Sequence, residues 1–145
     1  ARWRGTIDAN LTSTYLTVRA FLPGMLDRGG GSIVTMASTS GRLPSRASIA
    51  YGAAKAGIVM FTRHVAKEVG EYGIRANVVA PATTATERVK GVFDEEGLAR
   101  VGAMAPLGRV GLPEDSALAT LYLCSESSGW ITGITIDVAG GRIMM

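Results

Sequence analysis

The apolar positions of the chain fall into two alternating rhythms, one with the spacing of a helix face and one with the short, dense runs of a buried strand. From about Thr6 to Leu22, the residues Ile7, Leu11, Tyr15, Val18 and Leu22 recur every three or four positions, and Pro23-Gly24 is predicted to stop this helix. After Gly29-Gly30-Gly31, the run Ser32–Ala37 is short, apolar and rich in β-formers, as expected of a strand covered on both faces. A polar cluster, Ser38-Thr39-Ser40-Gly41, follows it. A long helix is predicted from about Ala50 to Val69, with Ala50, Ala54, Gly57, Phe61, Val65 and Val69 along one face, closed by Gly70 to Gly73. A second strand, Ile74 to Ala80, breaks at Pro81. The polar stretch from Ala82 to about Gly111 carries a weaker helix in its middle. Pro113, with Glu114 and Asp115 in the positively polarised first turn, starts a helix bearing Leu118, Leu121 and Tyr122. A third strand, about Ile134 to Val138, ends at Gly140-Gly141.

Helices alternating with short buried strands define an α/β class: right-handed crossovers lay the strands parallel and cover both faces of the sheet with helices. No internal repeat or linker divides residues 1–145, and 145 residues suit a single domain. At 47% hydrophobic and 19% charged residues, the chain is expected to fold around a core. The net charge of +3 is spread without any block of like charge, so neither a nucleic-acid partner nor a membrane partner is expected. No apolar run approaches the roughly 18 residues of a membrane span, and the single cysteine, Cys124, cannot close an intrachain disulfide; a cytoplasmic setting is the expectation.

In open parallel sheets ligands bind beyond the carboxyl ends of the strands, which directs attention to Ser38–Ser40 and Pro81–Thr86. The crossover helix after the first strand must begin at that same rim, and Tyr51 and Lys55 lie in its first two turns. Their i, i+4 spacing sets a phenol and an ammonium side by side, near the Ser38 hydroxyl. A phenol ionises in water only near pH ~10, but a neighbouring ammonium favours the phenolate and so suits the phenol to proton exchange with an alcohol or carbonyl. A serine hydroxyl could hold the substrate oxygen as its charge changes. By spacing alone, the ordinary reading of Tyr51 and Lys55 is a solvated surface pair.

The order Asn10, Ser38, Tyr51-Gly52-Ala53-Ala54-Lys55 and Pro81-Ala82-Thr83-Thr84-Ala85-Thr86 resembles the classical short-chain dehydrogenase/reductase family. Ile7-Asp8-Ala9-Asn10-Leu11 is similar to the helix segment that carries the family's active-site Asn. Gly31 to Ser38 is similar to its central strand running into the catalytic Ser, and Gly73 to Pro81 to its next strand. Pro106 to Asp115 and Trp130 to Gly141 extend the resemblance over essentially the whole chain. It implies the C-terminal, catalytic portion of a Rossmann-like doubly wound parallel sheet, here three strands with their helices. It also implies an oxidoreductase that moves a hydride between NAD or NADP and a small carbonyl or alcohol substrate.

On that resemblance Tyr51 is the acid/base, Ser38 orients the substrate oxygen, and Lys55 both favours the phenolate and holds the nicotinamide ribose. Asn10 supports a proton-relay water near Lys55. Tyr51, Lys55, Pro81, Ala82, Thr84 and Thr86 make up the cofactor-binding set, Thr84 through its backbone and Thr86 through its hydroxyl. The resemblance further implies a homo-oligomer, dimer or tetramer, formed through the first and long helices and through the final helix and strand. Two departures stand out. Ala82 replaces the family's usual Gly, adding a methyl beside the nicotinamide segment. The Gly-rich phosphate loop of the family's first half has no counterpart, since Gly29-Gly30-Gly31 precedes a strand and reads as a turn. The chain is therefore expected to be part of a longer protein. The competing reading is a non-catalytic remnant that acts only in self-association.

Other residues receive plainer expectations. His64 suits a surface or interface position, Cys124 a small buried hydrophobe, and Trp130 with Met144-Met145 an interface in preference to a substrate entrance. Arg42 and Arg46 are either solvated loop residues or ligands of an acidic substrate.

Overall fold

A computed structural model describes residues 2–144, so Ala1 and Met145 lie outside the described residues. The chain opens with helix α1 (Arg2–Ile7), passes through a π-helical turn (Asp8–Thr12), and continues as α2 (Ser13–Arg28). Strand β1 (Gly31–Met36) leads into a 3-10 turn (Thr39–Gly41) and the long helix α3 (Ile49–Val69). Strand β2 (Ile74–Pro81), short helices α4 (Glu87–Lys90) and α5 (Glu95–Gly102), helix α6 (Pro113–Cys124) and strand β3 (Thr135–Val138) complete the order. The three strands form one parallel sheet in the order β1-β2-β3, with Gly31 to Met36 beside Ile74 to Val79 and Val78 to Pro81 beside Thr135 to Val138. The expected α/β class, with its parallel sheet, is the fold.

Strand β2 is the centre and the most deeply buried element, with Ala76, Val78, Val79 and Ala80 fully inaccessible. Its alternate side chains divide the molecule into layers. Ile74 and Ala76 pack with Val65, Ala66 and Val69 of α3 and Val18 of α2, while Val78 and Ala80 pack with Ile58 and Val59 of α3. On the other face, Arg75 donates to the carbonyls of Ile131 (3.3 Å) and Ser125 (3.2 Å). Asn77 donates to Ile131 O (2.9 Å) and accepts from Ile134 N (3.1 Å), fastening the segment between α6 and β3. α6 packs on this second face, where the Ser32 hydroxyl donates to Leu123 O at 2.7 Å.

Three expectations are corrected. Pro23 does not stop the first helix, which runs on to Arg28 and ends at Gly29 in the left-handed conformation (φ 68°). Pro23 and Arg19 to Phe21 before it are exposed, so water can satisfy the Arg19 carbonyl that a proline leaves without its N–H donor. Strand β1 is not buried on both faces, because only Thr35 is buried along it. Cys124 is exposed rather than a buried hydrophobe: the buried residue at the end of α6 is its neighbour Leu123.

Candidate active site

Ser38 follows β1 in extended conformation (φ −167°, ψ 155°), and its Oγ accepts a hydrogen bond from Ser40 N at 3.2 Å. The hydroxyl thus caps the 3-10 turn and keeps its own proton for another acceptor. The turn lies directly on α3. A Cβ at Gly41 would stand 2.5 Å from the carbonyl carbon of Lys55 and 2.6 Å from Ala56 N, and one at Gly52 would stand 3.1 Å from Ser40 O. Two glycines, one on each partner, let the serine turn and the helix backbone approach this closely.

Helix α3 starts at Ser48, whose hydroxyl accepts from Tyr51 N. This start places Tyr51 in the first turn and Lys55 in the next, with Lys55 Nζ 5.5 Å from the centroid of the Tyr51 ring. Lys55 Nζ donates to Met36 O at 2.9 Å, so the ammonium bridges α3 to the last residue of β1. Burial lowers the Lys55 pKa below the ordinary lysine value, because a partly desolvated ammonium loses hydration. Ser38, Tyr51 and Lys55 are all half-buried at one rim.

Among the described residues Asn10 is bonded only within its own helix, and it is the next residue, Leu11, that meets α3. Asn10 sits in the π turn, donating from Nδ2 to Thr6 O at 2.9 Å, while its own carbonyl accepts from Thr14 Oγ1 (2.7 Å) and Ser13 Oγ (3.1 Å). Hydroxyls bonding back to carbonyls compete with the regular helical ladder, and Asp8-Ala9-Asn10-Leu11-Thr12 widens by one residue. Leu11 then packs against Gly57 of α3, where any Cβ would meet its Cδ2 at 2.9 Å. Sequence reasoning missed this turn. The dense Thr and Ser content after Asn10 was the available signal.

The segment after β2 is placed at the adjoining strand end. Ala82 N donates to Val138 O (3.0 Å), Thr84 Oγ1 donates to Ala82 O (3.2 Å), and Thr84 bridges to Gly111. Thr86 caps α4 by accepting from Val89 N, which leaves its hydroxyl proton unused. A cleft of about 420 Å³ opens beside this segment, lined by Ala82, Thr83, Arg109, Asp137 and Gly140 among others; Ser38, Tyr51 and Lys55 do not line it. Arg42 is not a solvated loop residue. Its guanidinium meets Asp137 Oδ2 at 3.1 Å, with both side chains largely covered. Arg46, His64 and Trp130 are exposed, and His64 takes the surface position expected of it. No group of three or more metal-ligating side chains occurs among the described residues, and no described helix is long and apolar enough to cross a membrane.

A family model described as enoyl-(acyl carrier protein) reductase matches residues 1–142. The 3-oxoacyl-(acyl-carrier-protein) reductase FabG of Chlamydia muridarum is 42% identical over 142 residues, covering 96% of this chain and 56% of that protein. A (3R)-3-hydroxyacyl-CoA dehydrogenase of Mus musculus is 38% identical over 143 residues, covering 98% and 55%. Among solved structures, a 3-oxoacyl-(acyl-carrier protein) reductase from Brucella melitensis superposes with a TM-score of 0.94 at 41% identity, covering 99% of this chain and 54% of that one. A second reductase structure from Brucella melitensis, with bound NAD, gives 0.90 at 39%. The chain belongs to the short-chain dehydrogenase/reductase family of oxidoreductases, and its fold matches the C-terminal part of that family's Rossmann-type sheet. It spans just over half the length of these relatives.

Proposed function

We propose that residues 1–145 are the catalytic part of a single Rossmann-type domain whose complete protein is an NAD(P)-dependent reductase of 3-oxoacyl thioesters. The observation that carries this reading is the approach of the Ser38 turn to α3 at Lys55, with Lys55 Nζ 5.5 Å from the Tyr51 ring. The substrate class rests on the names of the relatives, several of which are 3-oxoacyl-(acyl-carrier-protein) reductases and one an acetoacetyl-CoA reductase.

The donors present suit the nicotinamide-ribose half of a dinucleotide. Lys55 commits one of its three N–H groups to Met36 O and keeps two, and the Thr86 hydroxyl proton is free beside a strand end. Tyr51, Lys55, Pro81, Ala82, Thr84 and Thr86 would hold it, Thr84 by its backbone because its hydroxyl is spent on Ala82 O. When bound, the dinucleotide would supply a hydride for the substrate's carbonyl carbon. Ser38 donates its free hydroxyl proton in a hydrogen bond to the carbonyl oxygen, which accumulates negative charge as its carbon is reduced. Tyr51 transfers its phenolic proton to that oxygen, giving the alcohol and leaving a phenolate beside the Lys55 ammonium. Asn10 would support a water that returns the proton through Lys55.

The test is turnover of acetoacetyl-CoA by the complete protein with NADPH or NADH. The Tyr51→Phe variant is expected to lose roughly 10²–10⁴-fold in kcat, as for a lost acid/base, while still binding the nucleotide. Undiminished turnover by Tyr51→Phe overturns the mechanism.

A second reading, a partner that only self-associates, draws on the exposed apolar residues Phe21, Leu118, Leu121 and Trp130. Nucleotide binding separates the two. Thermal protection by NADH or NADPH supports the enzyme, and its absence favours the self-associating remnant.

A further inference from the structure

The chain leaving the Ser38 turn has almost nothing to hold it. Leu43 to Ile49 are all exposed, and Ser45 reaches back only to Ser40 Oγ, within the same loop. Arg42 is the exception. Its side chain is 14% exposed and joins Asp137 of β3, itself 13% exposed, at 3.1 Å. The sheet register shows what this contact spans. Asp137 lies beside Ala80 of β2, and Ala80 belongs to the cluster packed against α3, so Asp137 shares the face on which the serine turn rests. Arg42 therefore reaches from the end of β1, past β2, to β3, beneath the rim where Ser38 and the segment after Pro81 emerge.

The pair is poorly built for stability alone. One guanidinium nitrogen meets one carboxylate oxygen, and Arg42 Nε and Asp137 Oδ1 stay buried without partners. A buried ion pair with unmet polar atoms recovers little of its desolvation cost, and replacing both members by apolar residues is often neutral or stabilising. What it supplies is a fixed tie between two strand ends.

Resting on the function proposed above, we infer that Arg42, held by Asp137, is a positioning residue: it sets the serine turn against the strand-end segment and so fixes where the Ser38 hydroxyl meets the substrate oxygen. Arg42 acts through Ser38 and is not a ligand of an acidic substrate, since its charge is already engaged.

The variants Arg42→Met, Arg42→Lys and the double Arg42→Met/Asp137→Leu in the complete protein separate tie from stability. Arg42→Met strands a buried carboxylate and is expected to lower both the thermal midpoint and kcat. The double variant removes both charges, so its midpoint returns to the parent value. Its kcat on acetoacetyl-CoA stays down by about tenfold or more with KM for the nucleotide within about twofold, as for a misplaced catalytic group. Arg42→Lys recovers most of the kcat by keeping the cation. A double variant that regains kcat together with its midpoint overturns the inference. A second measurement needs no activity: amide hydrogen exchange over residues 38–46 quickens in the double variant if the tie exists and is unchanged if it does not. Wild-type protein without turnover, but with quickened exchange in the variant, rejects the functional reading while the tie stands.

Discussion

At the scale of single residues, the site depends as much on side chains that are missing as on those present. Gly41 sits where any Cβ would lie within 2.6 Å of two backbone atoms of α3, so a methyl there must push the serine turn off the helix. Gly41→Ala is expected to cost about 1–3 kcal/mol in unfolding free energy and to reduce turnover with it. A denaturation midpoint equal to the parent's would show that the approach is looser than described. Asn77 is a residue of the same kind for the fold: it is fully buried, with its amide spanning Ile131 O and Ile134 N. Tyr51, Lys55 and Ser38 were legible in the sequence because their placement follows from strand-then-helix order alone. Arg42 was not, because its partner lies 95 positions away and no local pattern couples the two.

At the scale of elements, what could be read depended on whether local pattern or tertiary contact decides the structure. Helix α3 and strands β2 and β3 follow their periodicities to within a residue or two. The first helix did not, because Pro23 is a local stop signal that an exposed helix surface tolerates and the π turn is set by hydroxyl back-bonding that apolar spacing does not register. The start of α6 shows an electrostatic device. Asp115 accepts from both terminal nitrogens of Arg109 (2.7 and 3.0 Å) and from Leu112 N (2.7 Å). The Arg109 hydrogen bond, the Leu112 amide and the Arg109 charge hold its pKa down to about 2. A carboxylate depressed on folding stabilises the native state above its unfolded pKa and loses that contribution as pH falls through the folded one. The clasp is therefore expected to release between about pH 4 and about pH 2. Asp115→Asn lowers the thermal midpoint at pH 7 and flattens the acid dependence in this window. An unchanged acid dependence would contradict the clasp.

At the scale of the whole molecule, the exposed apolar surface bears on assembly. Phe21 (69% exposed), Leu118 (64%), Leu121 (65%) and Trp130 (101%) lie on α2, on α6 and in the segment before β3, the regions through which self-association was expected. We propose that the complete protein is a homo-oligomer, dimer or tetramer, with these residues in its contacts. Sedimentation at micromolar concentration is expected to show no monomer, and Leu118→Glu with Leu121→Glu to shift the population to smaller species; a monomeric parent would sink the proposal. The sequence disclosed the layers of the fold because burial dictates them. Its hydrophobic pattern disclosed no assembly contacts, which only the family resemblance implied, because exposed leucines read alike whether a partner or water covers them.

The proposed reaction passes a hydride to a carbonyl carbon at the rim where Ser38, Tyr51 and Lys55 meet. The most direct test is to supply the complete protein with acetoacetyl-CoA and nicotinamide nucleotide deuterated at the transferring position, and to weigh the hydroxyacyl product. The wild-type protein is expected to place one deuterium in each product molecule, and Tyr51→Phe to form that product roughly 10²–10⁴-fold more slowly. Product without the label, or labelled product formed equally fast by Tyr51→Phe, would contradict the proposed reaction.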